Sequence, residues 1–150
     1  MPPRKTSRSP RPLILVIDEN EQNRVMLRFY LTKEYYDVVE ALTSQEAFQK
    51  AMEMPPDLVM IDLNNPHLSG VLTAQRLRSI QGMSHVPIIA YAGPDSQACR
   101  DAVLASGCDA YVIKPVNPSV MMNVIKSQLH RRSTGVLPSS DVTQLIFAAK

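Results

Sequence analysis

Residues 57–70 read DLVMIDLNNPHLSG. Leu58–Ile61 is an uninterrupted apolar run, Asp62 follows it, and a polar loop through Pro66 leads to Gly70. A continuous run of this length, with no polar alternation, is how a strand reads when both of its faces are covered. Four further runs lie on either side of it: Leu13–Ile17, Tyr36–Ala41, Pro87–Tyr91 and Ala110–Ile113. Four of the five are rich in Val and Ile; the run Tyr36–Ala41 is the weakest.

The segments between the runs carry helix signals. Residues 20–33 and 70–81 are expected to be helical. Thr43-Ser44-Gln45-Glu46 fits a capping box ahead of Ala47, Phe48 and Ala51. Asp95 is expected to cap a helix that places Ala98, Ala102 and Ala105 on one face, with Gly107 at its C-terminal stop. Asn117-Pro118 supplies a cap and then a proline at the first helical position. Val120, Met121, Val124, Ile125 and Leu129 line the helix that follows, and His130, Arg131 and Arg132 fall near its end, where positive charge is favourable. Five strands alternating with five helices imply an α/β fold, a doubly wound parallel sheet with helices on both faces.

Length and composition agree. The chain has 150 residues, 45% of them hydrophobic and 20% charged, which suits one globular domain and excludes a collagen-like repeat or a wholly disordered chain. The longest clean apolar run is five residues, Leu13–Ile17, far short of the roughly 20 that a membrane helix needs, so no membrane contact is expected. No apolar stretch follows the basic N-terminus, so no secretory signal is expected and the location is expected to be cytoplasmic. Cys99 and Cys108 lie outside any CxxC spacing, which argues for two reduced, small apolar side chains. The net charge of +2 hides a split. Residues 1–12 hold four basic residues and no acid. Residues 13–129 hold nine basic and thirteen acidic residues, and residues 130–150 three basic and one acidic. We expect a disordered basic arm over 1–12, one domain over 13–131, and a tail or linker over 132–150 with a short helix from Asp141 to Ala149.

In a doubly wound sheet, chemistry gathers at the C-terminal ends of the strands. Asp18-Glu19-Asn20 follows the first run, Asp62 the third, Ala92-Gly93-Pro94 the fourth and Lys114-Pro115 the fifth. If the first and third strands are neighbours, Asp18, Glu19 and Asp62 share one pocket. Carboxylates that close are tolerated when a hard divalent cation neutralises them; Mg2+ takes one or two carboxylates together with carbonyls and waters. A cation, a lysine and one forward-placed carboxylate suit phosphoryl chemistry, in which the carboxylate attacks phosphorus while positive charge holds the equatorial oxygens. Other sites fail on their residues. The turn after the first run has no glycine, which excludes a dinucleotide fingerprint and a P-loop, and His67, His85 and His130 have no metal spacing.

Taken together, ILVIDENEQNR (14–24), DLVMIDLNNPHLSG (57–70), PIIAYAG (87–93) and YVIKP (111–115) resemble the receiver domains of bacterial response regulators, in order and in spacing. The resemblance covers residues 13–131. It implies the strand order 2-1-3-4-5 of the flavodoxin-like receiver fold, and it implies roles. Asp62 would be the phosphoacceptor, supplied by a histidine kinase or a histidine phosphotransfer protein. Asp18, Glu19, Asp62 and the backbone carbonyl of Asn64 would hold Mg2+. Lys114 would pair with the acceptor and then with the phosphoryl oxygens, the Lys114–Pro115 bond would be cis, and Tyr111 would be the aromatic switch. Enzyme activity would be limited to self-phosphorylation from a phosphodonor and autodephosphorylation. In the family the region matching 95–131 commonly forms an output or dimer face, which implies a homodimer.

The chain departs from the pattern in three places. Ala92 stands where the family has Thr or Ser, so the hydroxyl that would bond the phosphoryl group is missing, although Gly93 is expected to offer a backbone N–H. Glu19 replaces the more usual Asp, and Asn65 the usual methionine. Two readings follow: a phosphorylatable receiver, or a receiver-like interaction module whose output is independent of phosphate. No helix-turn-helix pattern fits after the fifth helix within these residues, so direct DNA binding is not expected.

Overall fold

A computed structural model describes residues 9–64, 69–94 and 96–134. The elements alternate as expected: β1 (Leu13–Ile17), α1 (Glu21–Lys33), β2 (Asp37–Ala41), α2 (Ser44–Glu53), β3 (Leu58–Asp62), α3 (Gly70–Arg78), β4 (Ile88–Ala92), α4 (Gln97–Ser106), β5 (Ala110–Ile113) and α5 (Pro118–Thr134). The five strands form one parallel sheet in the order β2-β1-β3-β4-β5.

Successive strand residues point to opposite faces, so the sheet divides the apolar residues into two layers. On one face Leu15, Ile17, Val59, Ile61, Ile88, Ala90, Ala92, Tyr111 and Ile113 meet α2, α3 and α4 through Ala47, Ala51, Ala74, Leu77 and Val103. On the other, Ile14, Val16, Leu58, Met60, Ile89, Tyr91 and Val112 meet α1 and α5 through Leu27, Leu31, Met121, Val124 and Ile125. Cover on both faces is why β3 and β4 read as continuous apolar runs. The weak second run is one of the two edge strands, β2, where four of five residues are only partly buried; the other edge, β5, is buried throughout. Tyr36, expected to open it, lies just outside. Its buried ring packs against the α1–α5 layer, and its N–H bonds to the carbonyl of Leu31 at the end of α1.

The caps follow the sequence signals, with shifts. Thr43 caps α2 by accepting from the Glu46 N–H, and Glu46 reaches back to the N–H of Leu42 rather than to that of the cap residue. Asn117 Oδ1 accepts from the N–H groups of Ser119 and Val120, and α5 starts at Pro118. Gly107 closes α4 in the left-handed conformation. Ser96 caps α4 through the Cys99 N–H; Asp95, expected in that role, lies outside the described residues.

The inward face of α4 also differs from expectation. Val103 and Ser106 are buried, whereas Ala98 and Ala105 are exposed and Ala102 is intermediate. A β-branched residue buries more apolar surface than alanine, so Val103 sets the rotation of the helix. Helix α3 ends at Arg78, three residues before the expected stop, and Met83 and Val86 of the following turns enter the core. Helix α5 continues to Thr134, past the expected boundary at 131. Cys99 and Cys108 are free thiols packed against the α2–α3–α4 layer. No helix among the described residues is long and apolar enough to cross a membrane. Residues 1–8 of the basic arm and the expected helix at 141–149 lie outside the described residues.

Candidate functional site

The C-terminal strand ends form one cleft of about 540 Å³, lined by Asp18, Glu19, Asn20, Glu21, Asn23, Asp62, Asn64 and Lys114. Register explains the gathering. Ile17 of β1 is opposite Ile61 of β3, and Asp62 is opposite Tyr91 of β4. Ile17, Ile61, Ala92 and Ile113 belong to the α2–α3–α4 layer. The alternate positions Asp18, Asp62, Tyr91 and Lys114 therefore project toward the α1–α5 side.

Asp62, the last residue of β3, is 5% exposed. Its Oδ1 accepts from Lys114 Nζ at 2.7 Å and from the Asn64 N–H at 2.9 Å. Its Oδ2 accepts no hydrogen bond from any described residue. A carboxylate with one oxygen tied to an ammonium and the other free to react is oriented for nucleophilic attack. Lys114 can come this close because the β4–α4 loop passes tightly over it. A Cβ on Gly93 would stand 3.0 Å from Lys114 Cβ and 3.1 Å from the Lys114 carbonyl. The Lys114–Pro115 bond is cis, as the resemblance implied, and so is Gly93–Pro94.

Asp18 is fully buried and held by three donors. Oδ1 accepts from the Asn20 N–H at 2.8 Å, and Oδ2 from Asn23 Nδ2 at 2.9 Å and from the Tyr91 hydroxyl at 2.6 Å. Such cover is what keeps a buried charge tolerable. Behind it, the Arg24 guanidinium donates to the carbonyls of both Asp18 and Glu19 and to Glu40 Oε1, each at 2.9 Å. Arg24 thereby fixes the turn after β1. Glu19 is exposed at the rim of the cleft.

The opposite wall is a latch between two loops. Asn64 Oδ1 accepts from the Gly93 N–H, and Asn64 Nδ2 donates to the Gly93 carbonyl, both at 2.9 Å. The backbone N–H that Gly93 was expected to offer is thus taken by Asn64. Ala92 and Tyr111 are buried and belong to the α2–α3–α4 layer. The sequence reading gave no role to Arg24, Asn23 or Tyr91. The first two lie within residues 14–24, but nothing in that stretch shows which atoms they hold. Tyr91 reads as one more apolar strand residue until the register places its hydroxyl against Asp18. Burial, and then the charge of Asp18, push the Tyr91 phenol well above its ordinary pKa, so it is a neutral donor.

The donor set is made of hard oxygens: two buried carboxylates, a rim glutamate and loop carbonyls. No group of three or more His, Cys, Asp or Glu side chains among the described residues converges on one point as a ready metal cage. The set nonetheless fits Mg2+, which uses one or two carboxylates, keeps several waters and needs a roomy, polar cleft to do so.

Comparison with known proteins agrees with this geometry. The family model for the response regulator receiver domain matches residues 14–126. The transcriptional regulatory protein SrrA of Staphylococcus aureus (strain NCTC 8325 / PS 47) is 30% identical over 128 residues, 85% of this chain and 52% of that protein. The chain thus spans about half the length of the curated relatives it matches. A CheY-like response regulator receiver domain protein from Methanospirillum hungatei JF-1 aligns with a TM-score of 0.75 at 25% identity, over 84% of this chain and 99% of that one. The receiver domain of a sensor histidine kinase from Pseudomonas aeruginosa PAO1 aligns with a TM-score of 0.74 at 22% identity, over 80% of this chain and 98% of that one; that structure has magnesium coordinated in its active-site cleft.

Proposed function

The chain belongs to the response regulator receiver domain family, and from that premise we propose that Asp62 is its phosphoacceptor. Receiver domains interact with histidine kinases or phosphotransfer proteins and typically bind Mg2+ in the active site. The observation that carries the proposal is the state of Asp62. It is buried, it lines the cleft, Oδ1 is held by Lys114, and Oδ2 accepts no hydrogen bond from any described residue.

In the proposed reaction, Asp62 Oδ2 donates an electron pair to phosphorus and an O–P bond forms. The bond from phosphorus to the donor's histidine nitrogen breaks, and the nitrogen keeps that electron pair. Lys114, already 2.7 Å from Oδ1, is placed to hold a phosphoryl oxygen once charge moves there. Asp18, Asp62, the Asn64 carbonyl and the rim Glu19 would hold Mg2+; when bound, the ion offsets carboxylate repulsion and draws charge from the phosphoryl oxygens. We place the receiver unit at 13–131 and its location in the cytoplasm, and assign 95–131 as its homodimer face. The test is chemical. After incubation with a small phosphodonor and Mg2+, the bound phosphate should be released by hydroxylamine, as an acyl phosphate is. Phosphate that resists hydroxylamine, or none at all, contradicts the reading.

A second reading rests on Ala92. A hydrogen bond to a charged group contributes about 1.5–3 kcal/mol; here the hydroxyl is missing and the Gly93 N–H is engaged by Asn64. Phosphorylation would then shift the conformation little, and the module would signal through partners whatever its phosphate state. Equal affinity for one partner before and after phosphorylation would select this reading.

A further inference from the structure

We propose that Tyr91 is a positioning residue of this site: its hydroxyl orients Asp18 toward a divalent cation, and its ring orients Lys114 beside Asp62. The inference rests on the reading of Asp62 as phosphoacceptor.

Tyr91 stands directly opposite Asp62 across β3 and β4, so both side chains leave the sheet on one face. The ring is 1% exposed and packed in the α1–α5 layer. The buried hydroxyl donates to Asp18 Oδ2 at 2.6 Å. The ammonium of Lys114 lies 5.3 Å from the centre of the same ring, within reach of its negative face. Tyr91 therefore touches both the metal-side carboxylate and the lysine.

The chemistry of a phenol suits the task. Asp18 and Asp62 are like charges in one cleft and drive each other apart. An arginine or lysine in place of Tyr91 would restrain Asp18, but it would also cancel the charge that attracts a cation. A neutral hydroxyl restrains the carboxylate and leaves its charge in place. Asn20 and Asn23 hold Asp18 from the α1 side of the cleft, and Tyr91 holds it from the sheet. Ala92 cannot share this work, because its methyl carries no donor.

A tyrosine that merely fills the core would leave metal binding alone, and this separates the two roles. Mg2+ alone is titrated calorimetrically into the wild type, Tyr91→Phe and Tyr91→Leu. Phosphorylation rates from a small phosphodonor are then compared at saturating Mg2+. Tyr91→Phe keeps the ring and loses one hydrogen bond to a charged group, so Mg2+ should bind about tenfold more weakly. Tyr91→Leu should weaken Mg2+ by the same factor. It should also phosphorylate about tenfold more slowly than Tyr91→Phe at saturating Mg2+, because Lys114 has lost its ring. Both folded variants binding Mg2+ within about twofold of wild type would overturn the proposal. Should neither variant fold, ring-labelled tyrosine in the wild type keeps it testable. The Tyr91 resonance should then move with Mg2+ at the calorimetric midpoint, and a resonance that stays still overturns the inference. A wild type that binds no Mg2+ and takes no phosphate overturns the phosphoacceptor reading. Wild-type activity with indifferent variants overturns the role of Tyr91 alone.

Discussion

Lys114 follows β5 and Asp62 ends β3, yet Lys114 Nζ lies 2.7 Å from Asp62 Oδ1. Strand β4 separates the two in the sheet. The lysine spans it by passing over the ring of Tyr91, with Gly93 leaving room for its backbone. Asp62 is almost fully buried, so this ammonium is both its ion-pair partner and the nearest positive charge to any group bound there.

Removing that charge should slow the chemistry more than it harms the fold. Lys114→Ala is expected to lower the rate of phosphorylation by about 10²–10³-fold, the usual loss when one preorganised donor is taken from a developing negative charge. Rates at saturating Mg2+ check this, with circular dichroism confirming the fold. A loss under about threefold would mean that Lys114 is a structural counter-ion only.

Ala92→Thr should restore a hydroxyl at a fully buried position. Before phosphorylation the hydroxyl lacks a strong partner, so the variant should be about 1–2 kcal/mol less stable. After phosphorylation it gains an anionic acceptor and the deficit should shrink. Urea denaturation with and without phosphodonor measures both numbers. A deficit that is unchanged by phosphorylation would place the hydroxyl out of reach of the phosphoryl group.

Arg24 ties two backbone carbonyls and Glu40 together beneath the acidic turn. Arg24→Ala leaves the Asp18 and Glu19 carbonyls without this donor, while Glu40 keeps its pair with Arg28, at an expected cost of about 2–4 kcal/mol in denaturant unfolding. A loss under about 0.5 kcal/mol would show that water replaces the guanidinium.

Burial pushes the Cys108 thiol from an ordinary value of 9.0 up to about 11. The folded state thus keeps a proton that the unfolded chain gives up. The stability this confers is whole below pH 9 and is lost as pH rises toward 11, by about 1.4 kcal/mol per unit. Cys108→Ala lacks this titration. The stability difference between wild type and variant should therefore narrow in favour of the variant between pH 9 and 11. A difference independent of pH would mean that the thiol ionises freely in the folded protein.

Much of the fold was legible because its determinants are local. Runs covered on both faces have no polar alternation, and caps such as Thr43 and Asn117 announce themselves within four residues. The edge strand β2 was the hardest to read, since a partly buried strand needs fewer apolar residues, and it starts at Asp37, one residue after the expected Tyr36. The buried face of α4 differs from the expected alanine stripe because alanines fit an apolar stripe by type, while burial follows size and selects Val103. In the cleft, the charged residues were visible as strand-end acids and a lysine. What holds them was not. Tyr91 and Arg24 act through register and reach across strands, and the Asn64–Gly93 latch joins residues 29 apart. Spacing along a chain does not encode such pairings.

The central claim is that Asp62 accepts a phosphoryl group. Intact mass after incubation with a small phosphodonor and Mg2+, beside an Asp62→Asn control, tests it most directly. The account predicts one added phosphoryl group on the wild type and none on the control. Folded wild-type protein that gains no mass with Mg2+ present, or a control that gains as much, would contradict it.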